Sequence, residues 1–282
     1  MEIKEDRDDW SQVTERITIS GAREDERYAS FPFSKILSHY RIAHTGILTT
    51  NHPYELTRVY QNGSCMVATL SGEGRVFVDG YWISINEGQA CLLPPFAFNS
   101  IRSVEGKPWT FTWVKYLEEE DSSPIVTALS PVHGAFDGAA MKHAVMGLHH
   151  NLISHDNTTA ENLWVELIHQ HVMLFSRPKV KDERLWVLWT EVQQDLSSTW
   201  RVEELAEKAK MSTEHLRRLC KKQFGRSAKQ QLEHLRMRKA RILLGDRDMK
   251  IEAIAREVGY PDAAAFSNAF KKFMGFRPSE MR

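Results

Sequence analysis

The C-terminal part of this 282-residue chain contains a repeat that strongly limits how the chain can fold. Residues 213–225 read TEHLRRLCKKQFG, and residues 263–275 read AAAFSNAFKKFMG. In both segments a large apolar residue is followed by three variable positions, a second apolar residue, Lys-Lys and a late Gly. Because residues four apart lie on one face of a helix, the repeat predicts two copies of one helical unit.

The first copy has the pattern of two short helices joined by a tight turn. Residues 202–210 and a segment that ends at Phe224 have helical spacing, and residues 211–213 separate them. Ser212 or Thr213 can cap the second helix, because its first N–H groups need an acceptor. Two short helices that meet at a three- to four-residue turn describe a helix-turn-helix unit. The apolar residues expected to face each other are Leu205, Ala206, Ala209, Leu216 and Leu219.

The second copy begins at residues 251–260 and has one extra residue in its turn, where Asp262 is the expected cap. Between the copies, residues 227–244 predict a connecting helix. At about 1.5 Å per residue this helix is about 27 Å long. It can therefore hold two recognition helices roughly one DNA turn (~34 Å) apart. Its expected buried stripe consists of Leu232, Leu235, Ala240, Leu243 and Leu244.

The formal net charge of zero hides a strong asymmetry along the chain. Residues 201–282 hold 20 of the 37 basic residues but only 11 of the 37 acidic ones. A basic segment joined to an acidic remainder favours a module that binds a polyanion. Chance segregation of solvated surface charge is the alternative explanation.

The N-terminal region has the patterns of strands from about residue 33 to residue 116. Alternating segments flank Asp79-Gly80, a dipeptide that favours a tight hairpin turn. The last predicted strand covers residues 109–116 and is rich in aromatic residues. Short strands separated by recurrent turns predict a sandwich or a barrel.

The pattern changes to helical spacing after this region. Residues 141–153 and 160–175 predict two helices, with Leu163, Leu167 and Leu174 among the apolar positions of the second. Residues 177–182 have the composition of a linker, in which Pro178 ends the preceding helix.

Composition excludes several classes of protein. No apolar run approaches the roughly 18–20 residues of a membrane span, and the acidic N-terminus is unlike a signal peptide. The three cysteines are odd in number and far apart, which indicates neither a disulfide framework nor a CxxC metal site. A location in the reducing cytoplasm is the expectation.

Residues from about 185 to 282 resemble the DNA-binding domain of AraC/XylS-family transcriptional regulators. The motifs that carry the resemblance are LAEKAKMSTEHLRRLCKKQFG, LRMRKARILL, IEAIAREVGY and FSNAFKKFMGFRPSEMR. The resemblance implies that outward residues of the two second helices read bases, and that nearby lysines contact phosphate. The base-reading candidates are Glu214, His215, Arg217, Arg218, Ser267 and Asn268, and the phosphate candidates are Lys221, Lys222, Lys271 and Lys272. For any single Lys or Arg, a solvated surface charge is the alternative.

Four short motifs, Gly72-x-Gly74, Glu87-Gly88, Leu93-Pro94-Pro95 and Trp109-x-x-x-Trp113, make residues 65–119 similar to the cupin-type sensor domain of the same family. Cupin enzymes hold a metal with two His and a Glu in one motif and a His in a second, but Asn99 occupies the second position here. Because no His-x-His stands in the first motif region, we expect no metal, cofactor or catalytic group. The resemblance instead implies an effector site lined by Arg58, Trp113, Phe111, Asn99 and Ile101, although Trp113 is equally compatible with core packing.

Together these features predict an α+β chain with an N-terminal cupin-like β-barrel, a helical dimerisation segment, and a C-terminal all-α domain with two helix-turn-helix units joined by a linker helix. The expected divisions are residues 1–130, 131–178 and 179–282. The expected function is ligand-responsive transcriptional regulation by a homodimer that binds double-stranded DNA, a small effector (possibly a sugar) and RNA polymerase, with no membrane association. Two alternatives are a constitutive DNA-binding protein whose barrel is only a dimerisation scaffold, and a DNA-modifying enzyme with a reactive cysteine.

Overall fold

A computed structural model describes residues 14–19, 32–58, 62–118, 125–127, 130–154, 157–177, 182–245 and 247–281. Their contacts divide the chain into two units. The sheet unit contains the strands and the helices that precede Arg177, while the helical unit contains the later helices together with Asp79–Tyr81 and residues 130–132. Within the described ranges no helix has both the length and the apolar composition needed to cross a bilayer.

The sheet unit is antiparallel, and its strands occupy much of the region where short strands were predicted. The strands in the described residues are β1 (Thr14–Ile19), β2 (Ile42–Thr50), β3 (Glu55–Arg58), β4 (Cys65–Val78), β5 (Tyr81–Asn86), β6 (Gln89–Leu93), β7 (Asn99–Ser103), β8 (Trp109–Tyr116) and β9 (His133–Ala135). The main path of the sheet runs β1-β2-β8-β4-β6-β9 through antiparallel ladders, while β3 pairs with β7, and β5 and β7 also pair with β4.

Two local predictions in this region are confirmed. The turn between β4 and β5 is formed by Asp79 and Gly80, which have φ values of 53° and 80°. Positive φ at both central residues is what a two-residue type I′ turn requires. The last predicted strand coincides with β8.

One stretch within the predicted strands is helical, so the strand prediction was wrong there. Helix α1 spans Lys35–His39, and the Ser34 hydroxyl accepts the backbone N–H of Leu37 as its cap. Ile36 and Leu37 are buried in the core of the sheet unit. A helix this short shows too little periodicity for sequence patterns to reveal it.

The two predicted helices of the sheet unit are present and slightly longer than expected. Helix α2 spans Gly138–Ser154 and α3 spans Thr158–Ser176. Their buried residues share one core with alternate residues of β8, including Val114 and Tyr116. Successive side chains of a strand point to opposite faces. The remaining side chains of β8 therefore point away from these helices, towards the interior of the sheet unit.

The helical unit confirms the tandem repeat. The first and second copies have helices of the same lengths, and residues 258–262 separate the second pair where residues 209–212 separate the first, so the extra turn residue is present. The six helices in the described part of this unit are α4 (Glu183–Gln194), α5 (Val202–Lys208), α6 (Thr213–Phe224), α7 (Ala228–Leu244), α8 (Ile251–Glu257) and α9 (Ala263–Met274).

The second helix of each copy begins and ends with the same devices. Ser212 caps α6 and Asp262 caps α9, each through a side-chain oxygen that accepts a backbone N–H. Both helices end at a glycine in the left-handed region, with φ of 69° at Gly225 and 83° at Gly275. These caps satisfy end groups that the helices themselves leave unpaired. The lengths and termini of α6 and α9 are therefore set locally.

Arg236 of the connecting helix α7 contacts two other segments of the helical unit. Its guanidinium donates to the carbonyl of Leu196 at 3.2 Å and to that of Ser198 at 2.8 Å, and it lies 5.7 Å from the Tyr260 ring centroid. It thereby joins the segment before α5 to the turn between α8 and α9. The predicted stripe is buried except at Leu243, which is only half-buried.

A buried ion pair lies within the helical unit. The Arg226 Nε donates to Asp79 Oδ2 at 2.5 Å, and His234 Nδ1 lies 3.0 Å from Asp79 Oδ1. Burial and the Arg226 charge lower the pKa of His234 to about 4, so the neutral ring donates its N–H to the carboxylate. Burial alone would raise the pKa of Asp79, but the Arg226 charge and these hydrogen bonds hold it well below its usual range.

Candidate nucleic-acid interface and ligand site

The outward face of α6 carries the predicted base-reading side chains. Glu214, Arg217 and Arg218 are exposed, and His215 is half-buried. Together with Lys221, Lys222 and Ser227, the first three line one concave surface. The structure therefore brings these predicted residues together on one side of α6, while their contact with DNA stays a prediction.

Two of these side chains form a pair across one turn of the helix. The Nε and Nη2 atoms of Arg217 donate to the two carboxylate oxygens of Glu214, each at 2.9 Å. The hydrogen bonds and charge of Arg217 hold the pKa of Glu214 below its usual value. Because both side chains are about 70 % exposed, the pair contributes little stability and can exchange for DNA contacts at small cost.

Two of the predicted phosphate contacts have partners inside the helical unit. Lys221 Nζ donates to the carbonyl of Gly225 at 3.1 Å, which satisfies a terminal acceptor of α6. Lys272 Nζ lies 4.5 Å from the centroid of the Tyr81 ring, a cation–π geometry. Both lysines remain exposed along much of their length, so the charge stays on the surface.

Helix α9 keeps the packing face of α6 but not its outward face. Phe266, Phe270 and Phe273 are buried, as the repeat requires. The outward side chain of Asn268 is exposed and Ser267 is half-buried. Since the first turn of α9 is an alanine run, it offers only methyl groups beside them.

The predicted effector residues of the sheet unit lie on two ladders: Phe111 and Trp113 on β8, and the other three on the β3–β7 pair. Phe111 and Trp113 alternate onto the interior face of β8, and Phe111 lies opposite Leu48 on β2. On the β3–β7 ladder, Arg58 pairs with Asn99, and Leu56 pairs with Ile101. Trp113, Phe111, Asn99 and Ile101 are all buried.

Polar groups on this face are linked by one short hydrogen bond. Trp113 Nε1 donates to His44 Nδ1 at 2.7 Å, which places the histidine proton on Nε2. Burial, followed by the charges of Arg58 and Lys115, lowers the pKa of His44 to about 3. The ring is therefore neutral at physiological pH. Arg58 is near enough to His44 and Lys115 for its charge to act on both.

Two polar atoms here are buried without a hydrogen-bond partner, namely Arg58 Nη1 and Asn99 Oδ1. Leaving such a donor and acceptor unpaired costs about 1–3 kcal/mol each. These atoms are therefore suited to a bound polar molecule, which can satisfy both groups.

Sequence reasoning missed Lys115 and did not assign His44 to the effector site. Lys115 has the same strand parity as Trp113, so simple alternation along β8 places it on the interior face. The signal was present, but a lysine at the end of a strand is ordinarily exposed.

The cysteines and the potential metal ligands are the other groups of chemical interest in the described part of the chain. Cys65, Cys91 and Cys220 are buried thiols that form no disulfide among the described residues. Among the described residues, no group of three or more His, Cys, Asp or Glu side chains is placed to hold a metal ion.

Comparison with known proteins identifies the class of this chain. Residues 205–282, which include the end of the first helix of the repeat, match a helix-turn-helix domain family. The chain is similar to the Msm operon regulatory protein of Streptococcus mutans, with 22% identity over 227 residues that cover 76% of this chain and 81% of the relative. It is also similar to the arabinose operon regulatory protein of Salmonella typhimurium, with 27% identity over 240 residues, covering 78% and 83%. The chain belongs to the AraC/XylS family.

This AraC/XylS-family chain is a DNA-binding transcriptional regulator. Among solved structures, ToxT from Vibrio cholerae with a bound unsaturated fatty acid covers 84% of this chain and 93% of its own, at 14% identity and a TM-score of 0.38. This chain itself shows an antiparallel sheet followed by two tandem helical copies.

Proposed function

We propose that this regulator responds to a small effector, a sugar or a related metabolite, bound on the interior face of the N-terminal sheet. The observation that supports the proposal is the pair of unsatisfied polar atoms, on Arg58 and Asn99, among buried aromatic residues. Ligand sites are largely apolar surfaces with a few polar groups that fix orientation. An indole face such as that of Trp113 can stack on a sugar, and the names of relatives refer to the arabinose and Msm operons.

Effector binding is tested by a thermal-shift screen of the full-length protein against a metabolite panel. A ligand that binds only the folded state raises its stability by mass action. The hit should lose its effect in Arg58→Ala and in Trp113→Ala, while Arg75→Ala, which removes an exposed arginine of β4, should keep it. No stabilising compound in a broad panel favours a constitutive DNA-binding protein with a scaffold domain. A hit that survives both substitutions contradicts this location.

The proposed DNA-reading roles follow the exposed faces of α6 and α9. Glu214, Arg217 and Arg218 supply donors and acceptors that match base edges in the major groove, with His215 beside them. Ser267 and Asn268 have less hydrogen-bonding capacity. The lysine pairs at the ends of both helices suit phosphate contacts, which set orientation more than sequence preference. Altered presentation of these helices would then change recruitment of RNA polymerase.

We also propose that the chain acts as a homodimer through α3, within the connector that we assign to residues 131–178. Leu163, Leu167 and Leu174 lie on one side of this helix and are 63%, 43% and 56% exposed. Their spacing is that of a narrow apolar seam between two helices. Large apolar side chains in such a row favour a second copy as the partner.

The dimer is tested by light scattering after gel filtration of the full-length protein. The double variant Leu163→Lys, Leu167→Lys should elute as a monomer, because it places charge in the seam. Ile242→Lys is the matched control, since Ile242 is 70% exposed on α7 and should leave the mass unchanged. A dimeric mass for the double variant contradicts the assignment of α3.

A further inference from the structure

Two basic side chains, those of Arg58 and Lys115, lie close together in the described part of the sheet unit. The β8 register pairs Lys115 with His44 on β2 and with Cys65 on β4, so these three side chains lie beside Trp113 on one face. Arg58, on β3, is close enough for its charge to affect the pKa of all three. Two groups that carry a full positive charge in water therefore lie together on an interior surface.

Neither of these cations has an anionic partner among the described residues. Lys115 is only 6% exposed, and its Nζ donates to the backbone carbonyl of Gly63 at 2.8 Å. Arg58 Nη1 is buried without an acceptor. The buried carboxyl near Lys115 belongs to Glu118, whose charge acts to raise the pKa of Lys115 but which forms no ion pair with it. The Oε1 atom of Glu118 instead accepts the N–H of Ile125 at 3.0 Å. No ion pair joins a described carboxylate to Arg58 or Lys115.

Such an arrangement costs stability unless an anion completes it. A buried cation without a counter-charge has lost its hydration without an equivalent return. Burial lowers the pKa of Lys115 to about 8, and the Arg58 charge adds to this effect. A neutral hydroxyl can accept a hydrogen bond from Arg58, but it does not neutralise either charge. A carboxylate or phosphate does both, because its oxygens accept charge-assisted hydrogen bonds.

We infer that the effector of this regulator is an acidic small molecule whose anionic oxygens are held by Arg58 and Lys115. The inference rests on the proposed effector site and narrows its ligand to sugar acids, sugar phosphates and related acidic metabolites. Phe111 and Trp113 then contact the uncharged part of the same molecule.

The test compares matched acidic and neutral probes by thermal shift on the full-length protein at constant ionic strength. The pairs are D-galacturonate with D-galactose, D-gluconate with D-glucose, and D-glucose 6-phosphate with D-glucose. At least one acidic probe should raise Tm by several degrees more than its neutral partner. An extra shift from a carboxylate probe indicates a sugar acid as the ligand, and an extra shift from the phosphate probe indicates a sugar phosphate.

Variants locate the effect and separate it from general ion binding. Arg58→Gln and Lys115→Met should each abolish the extra shift, and Arg75→Gln, at an exposed position of β4, should preserve it. In the ligand-free protein, Lys115→Met should leave Tm unchanged or raise it, because a buried charge is removed. This readout applies to the ligand-free protein and so does not depend on the choice of probe.

Three results overturn the inference. Equal shifts from a neutral sugar and its acidic partner reject the acidic ligand but leave a sugar-responsive regulator intact. No shift from any acidic probe rejects the acidic ligand as well, and the neutral arms then report separately on the proposed effector site. A large loss of Tm in both ligand-free variants shows that the two charges stabilise the fold itself, which removes the reason for an anion.

Discussion

The two recognition helices should contribute unequally to sequence reading, and the pair Arg218→Ala and Asn268→Ala measures the difference. These positions correspond in the repeat, since α6 and α9 have the same length of 12 residues and the same kinds of cap. Both side chains are exposed. Truncating either one should therefore leave the fold intact, with a change in unfolding free energy within about 0.5 kcal/mol.

The magnitude follows from the chemistry that surrounds each position. Arg218 Nη2 lies 3.2 Å from His215 Nδ1, and the Glu214–Arg217 pair stands on the same face. An arginine that donates two bonds to a guanine is worth about 1–3 kcal/mol of discrimination, or roughly a 5- to 150-fold change in affinity. Asn268 has an alanine run in place of such neighbours, so we expect Asn268→Ala to lower the affinity for DNA by less than about threefold.

The assay is a binding titration on the natural operator and on a set of single-base variants, at fixed salt. Arg218→Ala should flatten the preference at one or two base pairs and leave the others unchanged. Lys271→Gln is the control on α9. Removal of one phosphate contact should weaken all sequences alike and lower the salt slope by about 0.9. Sharp, base-specific losses of equal size from Arg218→Ala and Asn268→Ala refute the unequal division.

Two further predictions concern stability. Asp79→Asn should lower the free energy of unfolding by about 3–5 kcal/mol, because the buried Arg226 loses its counter-charge. In urea denaturation the control Glu191→Gln, which opens an exposed pair, should cost less than about 1 kcal/mol. Between pH 6 and 4.5 the unchanged protein should lose stability as the pH falls, and His44→Gln should reduce that loss by up to about 1.4 kcal/mol per pH unit. The sign follows because the folded-state pKa, about 3, lies below the unfolded value of 6.5, so only the unfolded chain gains this proton in that range. An unchanged pH slope contradicts the reasoning, and exposed His143→Gln is the matched control.

The elements that sequence patterns predicted well are those set by near neighbours. The Asp79-Gly80 turn, the cap at Asp262 and the glycine that ends α6 each depend on a few consecutive residues. Asp262 Oδ1 accepts the N–H of Ala265 at 2.7 Å, only three residues away. The aromatic-rich segment predicted as the last strand is equally local, and its bounds coincide with those of β8.

The features that sequence patterns did not predict depend on residues far apart in the chain. Asp79 and Arg226 are separated by 147 residues, and Asp79 and His234 by 155. Neither periodicity nor composition reports such a pairing, and a hairpin aspartate is ordinarily exposed. Lys115 differs, because its strand parity was visible and only its burial required the three-dimensional fold. The acidic-ligand inference could not arise from the sequence for this reason.

The alanine side chains of α9 lie on the part of the helix surface that neither its caps nor its packing constrains. The caps of α9 and its buried phenylalanines maintain the helix and its packing, so the outward face is free to vary without loss of fold. On that face Ala264 contributes only a methyl group, while Lys271 keeps its charge on the surface. A helix with this combination can still be attracted to phosphate, since the charge term is independent of sequence. We therefore predict that α9 adds affinity and fixes the spacing along DNA, while the side chains of α6 carry the preference for particular bases.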